Sequence, residues 1–301
     1  MLNKFFVLLA FTSVYTTHAL HGEMRQTEES LSISDAVIRA YFESFKTLSK
    51  AEKWAEILSQ GSIAIEAAKN SNRESDEAKI AAQLASTSFY LGNYEEALLY
   101  ARRSYRLAEK FDDPTLFMRA LYLESAIYRA LAPKEDAEEQ VTYARAVTIA
   151  EQAANTYSKM GVENNNLKGK IYFNLGAAHA DNPKGSLEEA KSAYEIAIAC
   201  FEIVGAVDDV IRTTIRLGKV HFLQKEYEEC QQVINEIRPL IASERLAMQT
   251  DYLEAQLKFA LHDFEEALKV ATIGLERARA LGAKQDEARL LSLLRKIETE
   301  I

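Results

Sequence analysis

Four groupings of side chains in this sequence have types and spacings that could do chemistry. His179 and His221 each follow a glycine, Gly176 and Gly218, by three residues, and two imidazoles in matching places suggest a metal site or a proton switch. The pairs Glu95-Glu96, Glu188-Glu189 and Glu265-Glu266 suggest carboxylate acid–base work. The stretch DNPKGS at 181–186 contains the Gly, Lys and Ser of a phosphate-binding loop. Arg212 and Arg216 are four residues apart, with Lys219 beyond them. On a helix that spacing puts both guanidiniums on one face, where they can hold an acidic group.

The first three have plainer accounts. A metal site needs three or four ligands, and no third ligand accompanies the two histidines, so they read as packing residues. The Glu pairs recur at one place in a repeated pattern, the first turn of a helix, where acidic side chains complement the helix dipole. In DNPKGS the Lys precedes the Gly and no strand leads into it. Cys200 and Cys230 sit inside predicted helices without metal-type spacing and read as small buried apolar residues, although an oxidising compartment would allow them to pair. No P-loop, H-E-x-x-H, G-x-S-x-G or Gly-rich dinucleotide turn is present. The expectation is a non-enzymatic protein with no cofactor and no metal.

The elements that would position the cationic group follow from composition. The chain has 301 residues, 48% hydrophobic and 27% charged, with only 11 Gly and 4 Pro. So few breakers among abundant Ala, Glu, Leu, Arg and Lys predict an all-α chain. The net charge of −9 argues against nucleic acid and anionic lipid as general partners. Residues 1–19 carry Lys4, an apolar run from Phe5 to Phe11 and small residues up to Ala19. That is the layout of a signal peptide, and it predicts export to the periplasm or the exterior. The run is too short to span a membrane, and no other approaches its length, so membrane insertion of the mature chain is not expected. Residues 20–31 are expected to be a flexible N-terminal segment.

The chain is internally repeated. LGNYEEALLYARRSYRLA at 91–108 has counterparts whose leading apolar residues are Trp54, Tyr94, Tyr143, Leu187, Tyr227 and Phe264, spaced 40, 49, 44, 40 and 37 apart. A small or apolar residue follows three places later: Ile57, Ala97, Ala146, Ala190, Cys230 and Ala267. Ahead of most of these runs lies a second helical pattern with a small residue in its middle, at Ala85, Ser125, Gly176, Gly218 and Ala255. YLESAIYRAL and YLEAQLKFAL match in five places, which indicates duplication. Two antiparallel helices approach closely only where facing positions lack bulk, so Gly176 is expected against Ala190 and Gly218 against Cys230. The loops SNRESDE, KFDDPTLF, GVENNNL, GAVDDV and GAKQDE, or longer helices, would account for spacing near 40.

On these residues the sequence resembles the tetratricopeptide repeat family, over about 32–280. The resemblance implies a right-handed superhelical solenoid of antiparallel helix pairs. It would comprise six repeats over 32–282 and a capping helix at 283–301. It also implies a concave groove lined by the first helix of each pair. Phe42, Tyr122, Phe173 and Tyr252 would occupy one equivalent place in it, with Phe89, Phe222 and Phe259 further along. Each of these aromatics could instead pack between helices. In family members that clamp a peptide carboxylate, an Asn and two cations occupy the places of Asn174, Arg212 and Arg216, with Lys219 nearby here. The preceding repeat offers Tyr122 and Ala126 where the clamp would want Lys and Asn, so the clamp is at best half present. The functional expectation is a protein- or peptide-binding scaffold, with an acidic or C-terminal carboxylate group as a candidate feature of its partner. The alternative is an exported sensing module that changes curvature on binding and signals through a partner.

Overall fold

A computed structural model of the protein describes residues 33–132, 139–161 and 163–301. The expected signal peptide, the segment 20–31 and most of the APKEDAEEQ insertion lie outside the described residues. The described residues form helices and turns, with no strand among them. In order, α1 covers 33–50, α2 Trp54–Asn70, α3 Glu74–Tyr90, α4 Tyr94–Lys110, α5 Pro114–Leu131, α6 Glu139–Met160 and α7 Asn165–Asp181. They are followed by α8 Leu187–Ile203, α9 Val207–Leu223, α10 Tyr227–Ile237, α11 Glu244–Ala260, α12 Phe264–Ala280 and α13 Lys284–Glu298.

The 40-residue spacing comes from long helices and not from long loops. Helices α2, α3, α4, α7, α8, α9, α11 and α12 are each 17 residues long, and most are joined by turns of three residues. The stretches read as loops, such as SNRESDE and GAKQDE, therefore give up most of their residues to first turns of helices. The exceptions have local causes. Pro239 lacks an N–H and fixes φ, and α10 ends after 11 residues in a 3-10 turn, Arg238–Leu240. Helix α6 runs to 22 residues beside the insertion.

One hydrogen-bond pattern closes the short turns. After α3, Asn93 N–H donates to Ser88 C=O and Gly92 N–H to Phe89 C=O, the two bonds of a Schellman motif. Gly92 stands at φ +79°, a left-handed conformation that glycine adopts without strain. The same bonds follow α2 (Arg73 to Ala68), α9 (Glu226 to His221), α11 (Asp263 to Lys258) and α12 (Ala283 to Ala278). After α4, Asp113 accepts from Leu116 N at 2.9 Å and Pro114 opens α5, the cap pair expected from sequence.

The anchors fall where the repeat pattern puts them. Trp54, Tyr94, Leu187, Tyr227 and Phe264 are the first residues of α2, α4, α8, α10 and α12, and only Tyr143 lies inside its helix. Ile57, Ala97, Ala146, Ala190, Cys230 and Ala267 are wholly buried. The small residues of the partner helices meet them: Ser125 Oγ donates to Ala146 C=O at 2.8 Å. A Cβ on Gly176 would stand 3.0 Å from the Ala190 carbonyl oxygen and 2.9 Å from the Tyr194 ring. Gly218 departs from expectation. Its closest neighbours are Val233 and Leu253, not Cys230, so the contact is shared with the next pair.

The chain divides into two compact units, one ending at Ala120 and the other running from Leu121 to Ile301, with the boundary inside α5. In the first, Ile38, Tyr41, Ile57, Ile65, Ile80 and Leu84 form a core between α1, α2 and α3. In the second, α13 lays Leu290, Leu293, Leu294 and Ile297 on Ala267, Ala271 and Leu275 of α12. Each such side chain contributes about 1.5–3 kcal/mol when fully buried. The fold class is all-α, of the helical-repeat solenoid type.

Candidate functional site

The cationic residues expected in the groove fall in the second unit, and the structure joins them to acidic partners the sequence reading did not single out. Asp181, at the last position of α7, accepts from Arg216 Nη2 of α9 at 2.6 Å and from Arg129 Nη1 of α5 at 2.7 Å. Arg216 Nε also donates to the Tyr194 hydroxyl of α8 at 3.1 Å, and Arg129 Nη2 to Asn174 Oδ1 at 3.3 Å. Asn174 in turn donates to Lys170 C=O at 2.9 Å. Burial works against charge at Asp181, but the two guanidiniums outweigh it and hold the carboxyl down at about 2. Burial also opposes the charge of Arg216, and Asp181 and Tyr194 overcome that opposition.

This network gives the residues of the expected clamp internal partners. Arg216 and Asn174 are committed inside the protein, and Arg212 pairs with Asp209 of its own helix at 2.6 Å. The two arginines do not converge as a free pair. Lys219 differs: its Nζ donates to Gln256 Oε1 of α11 at 3.0 Å and stands 4.6 Å from the Phe222 ring centre. No carboxylate lies within ion-pair distance of it among the described residues. Burial, reinforced by the charge of Arg216, lowers its ammonium to about 8. Gln256 Nε2 continues the chain to the Tyr252 hydroxyl at 3.3 Å. A row of polar side chains thus runs over α5, α7, α9 and α11, the first helices of successive pairs.

The aromatics serve mainly as packing. Phe89, Phe222 and Phe259 each lie against the anchor of the same hairpin, with centroids 5.7 Å from Tyr94, 6.0 Å from Tyr227 and 5.7 Å from Phe264. Phe173 lies 6.0 Å from Tyr194, and Phe42 lies 5.8 Å from Tyr41 in the first unit's core. All five remain half-buried, as do Tyr122 and Tyr252, so each keeps an edge toward solvent. Phe42 and Phe89 belong to the first unit and the rest to the second.

The remaining candidates have the following surroundings. His221 Nδ1 lies 2.6 Å from Glu226 Oε2, bracing the turn after α9, and His179 is buried with Glu151 at 3.8 Å. No group of three or more His, Cys, Asp or Glu side chains able to hold a metal occurs among the described residues. In DNPKGS, Asn182 Oδ1 accepts from Lys184 N and Ser186 caps α8 by accepting from Glu189 N at 3.2 Å. Gly185 is pressed against the His179 carbonyl, leaving no phosphate cradle. Cys200 and Cys230 are free thiols, and burial raises both, Cys230 to about 11. No described helix is long and apolar enough to cross a membrane.

Sequence reading missed Arg129 and Asp181, although the repeat register marks them. Arg129 stands four places after Ser125, where Phe89, Phe222 and Phe259 follow Ala85, Gly218 and Ala255. Asp181 stands five after Gly176, where Tyr90, Ala130, Leu223 and Ala260 occupy the other repeats. Opposite charges placed against the pattern in neighbouring repeats are the signal.

No protein family and no curated protein matches the sequence. Solved structures do match in fold. A Rap protein complexed with competence and sporulation factor aligns over 88% of this chain and 77% of its own, at TM-score 0.58 and 14% identity. The apo form of RapI aligns over 87% and 98%, at 0.57 and 12%. BtubC from P. vanneervenii aligns over 76% and 92%, at 0.57 and 17%. The chain has a tetratricopeptide-like helical-repeat fold.

Proposed function

We propose that the protein is a non-enzymatic binding module that takes up a peptide or an extended protein segment along the first-helix face of its second unit. The observation that carries the reading is the polar row from Arg129 to Tyr252. Elsewhere a solenoid buries apolar side chains between helices, whereas here half-buried guanidinium, carboxylate, amide, ammonium and phenol groups line up across four first helices. Buried polar groups of this kind cost stability unless partnered. The aromatic edges of Phe173, Phe222 and Tyr252 beside them provide apolar contact area of the sort that anchors peptides.

Within that row Lys219 is the contact for an acidic group of the ligand, because it alone among the row's cations faces only a neutral amide and a ring. The acidic contact therefore moves from Arg212 and Arg216 to Lys219. The Rap structure solved with competence and sporulation factor supports a ligand-binding role for this fold. Export before action is part of the reading and rests on residues 1–19.

Panning a random peptide library on the purified chain tests the proposal. Enriched peptides should bind at micromolar Kd, weaken at least about tenfold with Lys219→Glu, and bind unchanged with Glu195→Ala on the exposed side of α8. Enrichment no better than on an unrelated helical protein would sink it.

A further inference from the structure

In the first unit an aromatic ring fills the place where one hairpin meets the next. Tyr90, the last residue of α3, stacks on Trp54, the first residue of α2, with centroids 4.4 Å apart and planes 18° from parallel. In the second unit the equivalent place lies between Tyr227, the first residue of α10, and the end of α11. There Ala260 stands five after Ala255, as Tyr90 stands five after Ala85. A methyl group cannot cover Tyr227 as a phenol covers Trp54. Among the described residues the Tyr227 ring has a tilted contact with Phe222, at 6.0 Å, and no stacked partner.

A groove of about 600 Å³ opens at that place. It is lined along α10 by Tyr227, Glu228, Gln231, Gln232 and Glu236, and by Leu261 in the turn after α11. The α10 positions recur at three- and four-residue intervals and so share one helical face. No Lys, Arg or His lines the groove. Glu228 is exposed and has no hydrogen bond or ion pair among the described residues, and Glu236 accepts from Gln232 Nε2 at 2.8 Å without a cation. Other acidic residues in the first turns of second helices are engaged. Glu188 accepts from Gln224 at 2.6 Å, and Glu266 pairs with Lys269 at 3.1 Å.

An occupant that completes this groove is planar, to cover Tyr227, and cationic, to answer two carboxylates. Arginine meets both needs, because guanidinium stacks on an aromatic face and pairs with a carboxylate through two N–H groups. Lysine brings the charge without the plane, and phenylalanine or tyrosine the plane without the charge. Glu228 and Glu236 are eight residues apart, which is about 12 Å along the helix. About four residues of extended chain, at about 3.3 Å each, cover that distance.

We propose that the α10 groove docks an extended basic segment of a partner protein, with one arginine stacked on Tyr227 beside Glu228 and a second, four residues away, against Glu236. The surface belongs to the second helix of its hairpin and is separate from the polar row on the first helices, so it does not rest on the binding reading given for that row.

Fluorescence anisotropy of the full chain with two labelled peptides of Gly, Ser and Ala tests it, one peptide carrying two arginines four places apart and the other two lysines. At physiological ionic strength the arginine peptide should bind with Kd on the order of 100 μM and the lysine peptide about fivefold more weakly. Glu228→Gln with Glu236→Gln should weaken the arginine peptide at least about tenfold. Glu195→Gln with Glu202→Gln, at exposed positions of α8, removes the same charge and should change Kd less than about twofold. Ala260→Tyr restores the missing ring and should weaken binding at least about fivefold. Tyr227→Leu keeps apolar bulk without the ring and should do the same, while Lys219→Met should leave binding unchanged. Equal affinity for the two peptides or equal losses from the two glutamate pairs would overturn the proposal, since general acidity would then explain the attraction. Undiminished binding by Ala260→Tyr and Tyr227→Leu, or no binding at about 1 mM, would overturn it as well.

Discussion

Arg216 and Asp181, on adjacent first helices, meet at 2.6 Å, and Arg129 meets the other oxygen of the same carboxylate at 2.7 Å. One carboxylate thereby holds two guanidiniums from helices that flank it, and the geometry of the face over α5, α7 and α9 depends on it.

Replacing that carboxylate should unlock the face. Asp181→Asn keeps the shape but leaves two half-buried guanidiniums facing a neutral amide. The expected loss is about 1–2 kcal/mol after allowing for solvent screening. Arg212→Ala, whose pair is local and more exposed, should cost under about 0.5 kcal/mol. The Asp181 carboxyl is lowered in the folded chain, so its contribution is fully present above the ordinary carboxylate range, near 3.8, and is lost as pH falls through about 2. Urea unfolding of both variants at pH 7 and pH 3 would check the ranking.

Lys219 carries the opposite sign. Its folded value, about 8, lies below the ordinary lysine value of 10.5, so the folded state gives up a proton that the unfolded chain keeps. Lys219 therefore contributes a penalty below pH 8 that fades between about 8 and 10.5. Lys219→Met should stabilise the ligand-free protein by up to about 1 kcal/mol at pH 7, with the gain shrinking toward pH 10. Other groups titrate over the same range, so the informative quantity is the difference between the two pH profiles. A Met variant less stable at pH 7 would contradict the assignment.

The hairpin contacts make a steric prediction. At Gly176 an added Cβ would meet the Tyr194 ring and the Ala190 carbonyl at 2.9–3.0 Å, and neither can yield because both lie in the core. Gly176→Ala should therefore cost about 1–3 kcal/mol despite the better helix propensity of Ala. Gly92→Ala meets nothing but must hold φ near +79°, and should cost about 1 kcal/mol. Thermal unfolding of the two variants separates packing strain from backbone strain.

Much of this architecture was legible in the sequence because it depends on local chemistry. Tyr94, Leu187, Tyr227 and Phe264 announce helix starts, and Ala97, Ala190, Cys230 and Ala267 announce contact points, since both follow from spacing along one helix. The polar row was only partly legible. Its members were named as Asn174, Arg216 and Lys219, but their partners depend on which side chains neighbouring helices bring across. Arg216 read as a free cation until Asp181 was placed beside it. The turn lengths were misread for a related reason. Polar stretches such as SNRESDE look like loops, yet a Schellman turn needs only three residues and the acidic ones belong to the next helix.

Removing α13 should expose Ala267, Ala271 and Leu275. A chain ending at Ala283 is expected to lose several degrees of Tm and to aggregate, as solenoids do without a terminal cap. Light scattering during a thermal ramp would show it, and a monomeric truncated chain of unchanged Tm would count against the capping role.

Export predicts a defined N-terminus. Protein recovered from its native host should begin at Leu20, and a mass-spectrometric N-terminal peptide retaining Lys4 would remove export from the account.

The most direct test of the binding-module reading is hydrogen–deuterium exchange of the full chain with and without a library-selected peptide. The account predicts slowed exchange in Asn165–Asp181, Val207–Leu223 and Glu244–Ala260, with the outer helices Leu187–Ile203 and Phe264–Ala280 unchanged. Protection confined to those outer helices, or none at saturating peptide, would contradict it.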